Sequence, residues 1–364
     1  MPTGSPVIKD QPSVGYPHLL TDSSVTLAID LCCGLGGLSL AAEQVGITVA
    51  AGLDVNLNAL KTFAHNFPKA QAINRNVGSE LTVAVCHTIL SNCRPDDKSI
   101  VLSGPPCQGF SSAGPRNPND VRNNVLRSVG CTIASLKPTC AIVENVPAVL
   151  LSKNQPQLRQ FVSSLEGVGY TIHTLILDAS DFGLAQVRKR AFFIATLKSI
   201  TESELIRQID LYKSGSIGAA QALAGLPTAA VRPSKYNDEA DNNPPTNHFT
   251  MVHSETVKIK IEKILPGTGP MSYRRLHPDR PSNTLFSGHR APPAHHNEPR
   301  SITVREAARL QGFPDSFRIM GPFANQMEQV TNAVPPPLAR PVMRAVASLL
   351  TLPLKHDGPN NNSG

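Results

Sequence analysis

The sequence predicts an α/β protein, a doubly wound Rossmann-like sheet carrying a smaller, irregular lobe. Three observations carry that prediction. Short apolar runs alternate with helix-like segments through the first half of the chain, a glycine-rich turn follows the first run directly, and from residue 198 the texture shifts to loops rich in Pro, Asn and His.

The runs fall at TLAIDL (26–31), TVAAGLD (48–54), SIVLSG (99–104), CAIVEN (140–145), YTIHTLIL (170–177) and AFFIAT (191–196), with helices expected at 38–45, 57–66, 123–135 and 155–167. Near-continuous apolar strands of this kind are buried on both faces, as a parallel sheet between helices requires. Helical periodicity returns at SITVREAARLQGF (301–313), where Thr303 followed by Glu306 forms a candidate capping box. It continues at 337–351, where Val342, Ala345, Val346 and Leu349 make one apolar face. The expected organisation is therefore a loosely attached start (1–24), a main domain (25–197), an irregular lobe (198–299), a segment returning to the main domain (300–351) and a loose tail (352–364). Both ends lack the apolar residues that offset ordering entropy.

Composition narrows the setting. The 364 residues, 40% of them apolar, suffice for a sizeable core, and 34 Lys+Arg against 27 Asp+Glu give +7, compatible with a polyanionic partner without requiring one. The seven cysteines are odd in number and form no C-x-x-C pair, which points to a reducing, intracellular setting. There is no signal-like start and no transmembrane-length run, so no membrane is expected. His295-His296 lacks an accompanying Cys or acid constellation, so exposed loop histidines are expected there and no metal.

In open α/β sheets ligands bind at the carboxyl ends of the strands. After the first run comes Asp30-Leu31-Cys32-Cys33-Gly34-Leu35-Gly36-Gly37, where absent side chains let backbone approach a ligand. Alone it fits a tight turn with no ligand, or the phosphate turn of a nicotinamide enzyme. Asp54 ends the next run about 20 residues on, placed to accept from ribose hydroxyls. Gly104-Pro105-Pro106-Cys107-Gln108-Gly109-Phe110-Ser111 ends a further strand, where two prolines fix the backbone and present a thiol. A cysteine so placed is ordinarily inert and buried. Glu144-Asn145-Val146-Pro147 ends another strand and Gln186-Val187-Arg188-Lys189-Arg190 begins one, each with an ordinary surface explanation when taken singly.

The ordered set DLCCGLGG, GPPCQGFS, ENV, QVRKR, REAARLQGFPDSF and NAVPPPLA resembles the cytosine-5 DNA methyltransferase family over about residues 26–348. The resemblance implies an S-adenosylmethionine pocket shaped by Asp30, Cys32, Gly34, Leu35, Gly36 and Gly37. Asp54 would lie on the ribose, Val55, Asn76 and Val77 near the adenine, Gly104 and Pro106 beside them, and Asn332 and Ala333 would close the pocket. The chain departs from the family where an acid is common, at Asn76, and where a glycine is common, at Thr331. The resemblance further implies that Cys107 adds to cytosine C6, that Glu144 binds N3 and the exocyclic amine, that Arg190 holds O2 and that Arg188 supports the same site.

On the same resemblance the target base is flipped out of double-stranded DNA, and 111–122, with Arg116 and Arg122, matches the loop that closes over it. The lobe at 198–299 takes the target-recognition position, with Arg274, Arg275, His289 and Arg290 as candidate readers. A monomer suffices, and a cognate restriction endonuclease in the same host is a possible partner. An RNA cytosine methyltransferase and a catalytically silent DNA-binding relative share these motifs. A dehydrogenase would leave the cysteine, the glutamate and the C-terminal motifs unexplained, and an amino-methylating enzyme would carry Asp/Asn-Pro-Pro-aromatic in place of Gly-Pro-Pro-Cys.

Overall fold

Each apolar run of the first half becomes a strand. In the computed structural model, which describes residues 24–91, 96–106, 124–151, 155–232, 245–270, 273–286 and 292–354, these strands are β1 (Thr26–Leu31), β2 (Thr48–Asp54), β3 (Gln71–Asn74), β4 (Lys98–Ser103), β5 (Cys140–Asn145), β6 (Thr171–Asp178) and β7 (Lys189–Thr196). They form one sheet in the order β3-β2-β1-β4-β5-β7-β6. The pairs β1–β2, β2–β3, β1–β4 and β4–β5 are parallel, while β7 runs antiparallel between β5 and β6.

Alternate residues of each strand feed opposite cores, as the two-residue pleat dictates. Ala28, Ile100, Leu102, Ile142 and Phe192 face one apolar cluster, while their neighbours Ile29, Val101, Val143 and Phe193 face the other. The first cluster is covered by α1 (Gly37–Glu43) and α2 (Leu57–Asn66), the second by α3 (Glu80–Ser91), α4 (Val125–Leu136) and α5 (Gln155–Glu166). Close approach of α4 to α5 rests on Gly130, where an added Cβ would lie 3.1 Å from the Phe161 ring. The strand order reverses between β1 and β4, so a crevice opens at their carboxyl ends, where the Gly34–Gly37 and Gly104–Pro106 turns meet.

Beyond the sheet lie α6 (Glu202–Asp210), α7 (Ala219–Leu223), a two-stranded pair β8 (Ala230–Val231) and β9 (Phe249–Thr250), and α8 (Glu255–Glu262). They are followed by α9 (Val304–Leu310), α10 (Phe323–Asn332) and α11 (Pro336–Leu350). The apolar face expected at 337–351 packs inward: Val342, Ala345 and Val346 are buried, and α11 lies against both α1 and α6. The texture change at 198 marks no break in the core, because Ile200, Leu205, Ile209, Leu276 and Leu285 join the cluster that holds α1 and α11.

The structure corrects two readings of the irregular region. His295 is not exposed: it is 7% accessible, and its Nδ1 accepts the amides of Asn297 and Glu298. Burial lowers its pKa to about 4, so the ring is neutral. Arg275 is not free to read bases, because its guanidinium donates to the carbonyls of Glu262, Ile264 and His296. That places a cation at the carboxyl end of α8, where the helix dipole favours it.

Candidate active site at the β1–β4 crevice

On the glycine-turn side, Cys32, Gly34 and Gly36 all adopt positive φ, at 60°, 55° and 102°, and coil the chain tightly from β1 into α1. Two of the glycines are required by packing. A Cβ on Gly36 would fall 2.3 Å from the Phe67 ring, and one on Gly37 would fall 2.2 Å from the Val334 carbonyl oxygen. Gly34 differs, since no described residue lies within 4 Å of where its Cβ would point. Leu35 is buried beneath the turn.

Asp54 braces the turn: Oδ2 accepts the Gly34 amide at 2.8 Å and Oδ1 the Asn56 amide at 2.8 Å. The side chain of Asn74 in turn donates to the Asp54 carbonyl at 3.0 Å. Beside it Val55 is 63% exposed, an apolar surface at a strand end. Asn76 is exposed, with its carbonyl accepting from the Thr82 hydroxyl, and Val77 is buried. Asp30 is fully buried, Ser39 donates to its Oδ2 at 2.7 Å, and its Oδ1 has no hydrogen-bond partner among the described residues. Burial raises its pKa to about 7. The thiols of Cys32 and Cys33 are pushed well above the ordinary range by burial, which removes both as nucleophiles.

The other side of the crevice is built at the ends of β4 and β5. Ser103 donates to the Leu31 carbonyl at 2.6 Å, tying β4 to β1, and Asn145 donates to the Pro105 carbonyl at 3.5 Å, tying the proline turn to β5. A Cβ on Gly104 would sit 3.9 Å from Glu144 Oε2 and 3.5 Å from Val334 Cγ2. Gly104 and Pro106 therefore deliver the chain to the mouth of the crevice next to Glu144. Cys107 follows immediately but lies outside the described residues, as do Arg116, Arg122, His289 and Arg290.

Glu144 is buried and bonded to Arg190, with Nε 2.8 Å from Oε1. Burial raises the pKa of its carboxyl, and the nearby charges of Arg190 and Arg188 oppose that without cancelling it. Arg188, two residues earlier in the turn entering β7, sends its guanidinium elsewhere. It donates to the carbonyls of Thr331 (2.8 Å), Ala333 (3.0 Å) and Leu285 (3.4 Å). Sequence reasoning grouped the two arginines, and the structure assigns them different neighbours.

The 198–299 region adjoins this site through the main chain. Val187 donates to the Ser282 carbonyl at 2.8 Å, Thr284 to the Val187 carbonyl at 2.8 Å, and Leu285 to the buried Gln186 side chain at 3.3 Å. A cavity of about 310 Å³ opens here, lined by Arg274, Arg275, His277, Arg280, Asn283 and Phe286 among others, with no carboxylate among the described residues of its lining. Sequence reasoning missed Arg280 and Phe286. The signal was the arginine-bearing DRPSNTLF stretch, whose distance along the chain from QVRKR hid its proximity. Among the described residues no group of three or more His, Cys, Asp or Glu is arranged to hold a metal, and no helix is long and apolar enough to cross a membrane.

A seven-stranded sheet with one antiparallel strand inserted near its edge, a glycine turn after β1 and an acid ending β2 defines the S-adenosylmethionine-dependent methyltransferase class of α/β protein. A family model for the C-5 cytosine-specific DNA methylase matches residues 27–348, and the chain belongs to that family. Among its relatives are the type II methyltransferase M1.HphI of Haemophilus parahaemolyticus, 29% identical over 89% of this chain and 87% of the relative, and M.XorII of Xanthomonas oryzae, 29% identical over 87% of this chain and 83% of the relative. A solved structure described as a DNA modification methyltransferase encoded within an E. coli prophage superposes with a TM-score of 0.73 at 26% identity, covering 90% of this chain and all of that one.

Proposed function

We propose that the protein methylates C5 of a flipped-out cytosine within a specific sequence of double-stranded DNA, with Cys107 as covalent nucleophile. The observation that carries this reading is the Glu144–Arg190 pair, 2.8 Å apart, set beside the Gly104–Pro106 turn that immediately precedes Cys107 in the chain. C5 of cytosine is a poor nucleophile. Addition of the Cys107 thiolate to C6 forms an S–C6 bond and moves an electron pair through the ring, making C5 enamine-like. Glu144, its carboxyl kept protonated to higher pH by burial, supplies a hydrogen bond or proton at N3 and accepts from the exocyclic amine. Arg190 holds O2 and orients Glu144. After methylation a base removes the C5 proton, the electron pair re-forms the C5–C6 double bond and the S–C6 bond breaks, freeing Cys107.

Three features support S-adenosylmethionine in the crevice: among the described residues nothing lies within 4 Å of where a Gly34 Cβ would point and Asp30 Oδ1 is a buried acceptor with no partner, and Val55 offers apolar surface beside Asp54. Asp30, Gly34, Asp54, Val55, Asn332 and Ala333 would hold it. When bound it supplies an electrophilic methyl group. The cavity at Arg274, Arg280 and Phe286, whose described lining holds arginines and no carboxylate, supports a phosphate-bearing partner next to the site.

The test is incubation of the protein with S-adenosylmethionine and duplexes containing 5-fluorocytosine, whose C5 fluorine blocks release of the enzyme. A covalent adduct at Cys107, absent in Cys107→Ala, is expected. Failure to form it across a broad set of duplexes, with cofactor bound and the protein folded, sinks the reading. Labelled methyl incorporation into RNA but not duplex DNA would redirect it to RNA.

A further inference from the structure

Arg188 is buried to 1% exposure, yet each hydrogen bond its guanidinium makes to a described residue ends on a main-chain carbonyl. Two of the three, Thr331 and Ala333, are the last turn and the cap of α10, where unpaired carbonyls carry the negative end of the helix dipole. The next residue, Val334, is the contact that joins both halves of the crevice. Its carbonyl oxygen leaves no room for a Cβ on Gly37, and its Cγ2 lies 3.5 Å from where one would stand on Gly104. On the far side, the Arg188 amide is fixed by Asp178 Oδ1 at 3.0 Å. The arginine is thus anchored in the sheet at its backbone and grips the C-terminal segment at its tip.

We infer that Arg188 is a positioning residue for the cofactor: it clamps the carboxyl end of α10 so that 331–334 forms a fixed wall against the Gly34–Gly37 turn. It acts through Thr331, Ala333 and Val334 and not by touching the cytosine, which separates it from Arg190. This rests on the S-adenosylmethionine reading above. The clamp also gives Thr331 a role its side chain does not carry, because the carbonyl is the acceptor. The Thr331 hydroxyl stays within α10, donating to the carbonyls of Met327 and Glu328.

The test measures equilibrium binding of S-adenosylmethionine and of S-adenosylhomocysteine by calorimetry on the full chain without DNA, for wild type, Arg188→Met, Arg188→Lys and Arg190→Gln. Arg188→Met is expected to weaken both ligands about tenfold or more, since charge-assisted bonds are lost. Arg188→Lys should recover part of that, since an ammonium reaches fewer carbonyls. Arg190→Gln should bind as wild type does while losing turnover, and in steady state Arg188→Lys should raise KM for the cofactor more than it lowers kcat. Wild-type affinity in a folded Arg188→Met overturns the inference, as does an equal loss in Arg190→Gln. If Arg188→Met does not fold, Arg188→Lys decides: cofactor affinity within twofold of wild type overturns it. Folded wild-type protein binding neither ligand would instead sink the cofactor reading itself.

Discussion

Arg190 Nε lies 2.8 Å from Glu144 Oε1, so the acid expected to face the base is held from behind by a cation on the neighbouring antiparallel strand. Burial raises the Glu144 pKa and Arg190 opposes that. Glu144→Gln is expected to cut kcat by roughly 10²–10³, within the range for general acid–base groups, with the fold retained. The pH dependence follows by sign. A protonated Glu144 is lost as pH rises through its raised pKa, giving an alkaline limb in kcat. Arg190→Gln removes the charge that lowers that pKa, so the limb should move to higher pH. A limb that stays put in Arg190→Gln, or persists in Glu144→Gln, would assign it to another group.

Gly34 and Gly37, two of the glycines bordering the crevice, are expected to fail differently. Gly34→Ala places a methyl in open space at φ 55°, a strain of about 1 kcal/mol, yet that space is where the cofactor is proposed to lie. Gly37→Ala drives a Cβ into the Val334 carbonyl, and neither backbone yields without moving α1 against α11. Thermal melts should show Gly37→Ala destabilised by about 1–3 kcal/mol or more, and Gly34→Ala by less. Calorimetry should show Gly34→Ala short of cofactor affinity by about tenfold or more. Equal melts for the two would contradict this account of the turn.

Much of this arrangement was legible in the sequence, for physical reasons visible at single residues. β1, β2 and β5 were read with their observed ends because each is an unbroken apolar run closed by Asp30-Leu31, Asp54 or Asn145. β3 went unread because Gln71–Asn74 buries only Ile73. α3 went unread because its β-branched residues Thr82, Val83, Val85, Thr88 and Ile89 favour a strand and apolar Leu81, Val83 and Leu90 blur the face Thr82, Val85, Cys86 and Ile89 that it buries. The capping box that starts α6 was available in Thr201 and Glu204. The division of labour between Arg188 and Arg190 was not available, since the described acceptors of Arg188 are backbone carbonyls 97 to 145 residues away, and carbonyls have no sequence signature. The engagement of Arg275 and the burial of His295 were hidden because their partners, carbonyls and amides, are main-chain groups that any residue carries.

The cavity beside the site separates two arginines that look equivalent in Arg274-Arg275-Leu276. Arg274 is exposed, and so is Arg280 across the same cavity, whereas Arg275 is spent on three carbonyls. Arg280→Ala and Arg274→Ala are each expected to weaken duplex binding and to lower the slope of log affinity against log salt by about one, the mark of a lost phosphate contact. Arg275→Ala should instead lower thermal stability with little change in that slope. Fluorescence anisotropy over a salt series separates the cases. An unchanged slope in both exposed-arginine variants would remove this cavity from the DNA surface.

The start of α9 offers a stability prediction that leaves the catalytic groups untouched. The carbonyl of Pro227 can only accept, so the 2.9 Å contact fixes the proton of His248 on Nε2. Nδ1 is then an acceptor, and the Thr303 hydroxyl 2.9 Å away must donate to it. That leaves a lone pair on Thr303 Oγ1 for the Glu306 amide at 3.1 Å, while the Glu306 carboxylate accepts the Thr303 amide at 2.7 Å and grips Arg300 at 2.7 and 2.8 Å. All four side chains are buried, so a missing hydroxyl leaves both a helix amide and a histidine nitrogen without a partner. Thr303→Ala should therefore destabilise the protein by about 2 kcal/mol, at the upper end for an N-cap. Thr303→Ser keeps both bonds and should melt close to wild type, whereas Thr303→Val, which keeps the volume but not the hydroxyl, should behave like alanine. Chemical denaturation of the three variants reads this directly. A valine variant as stable as serine would show that packing, not the relay from Pro227 to Glu306, holds this end of α9.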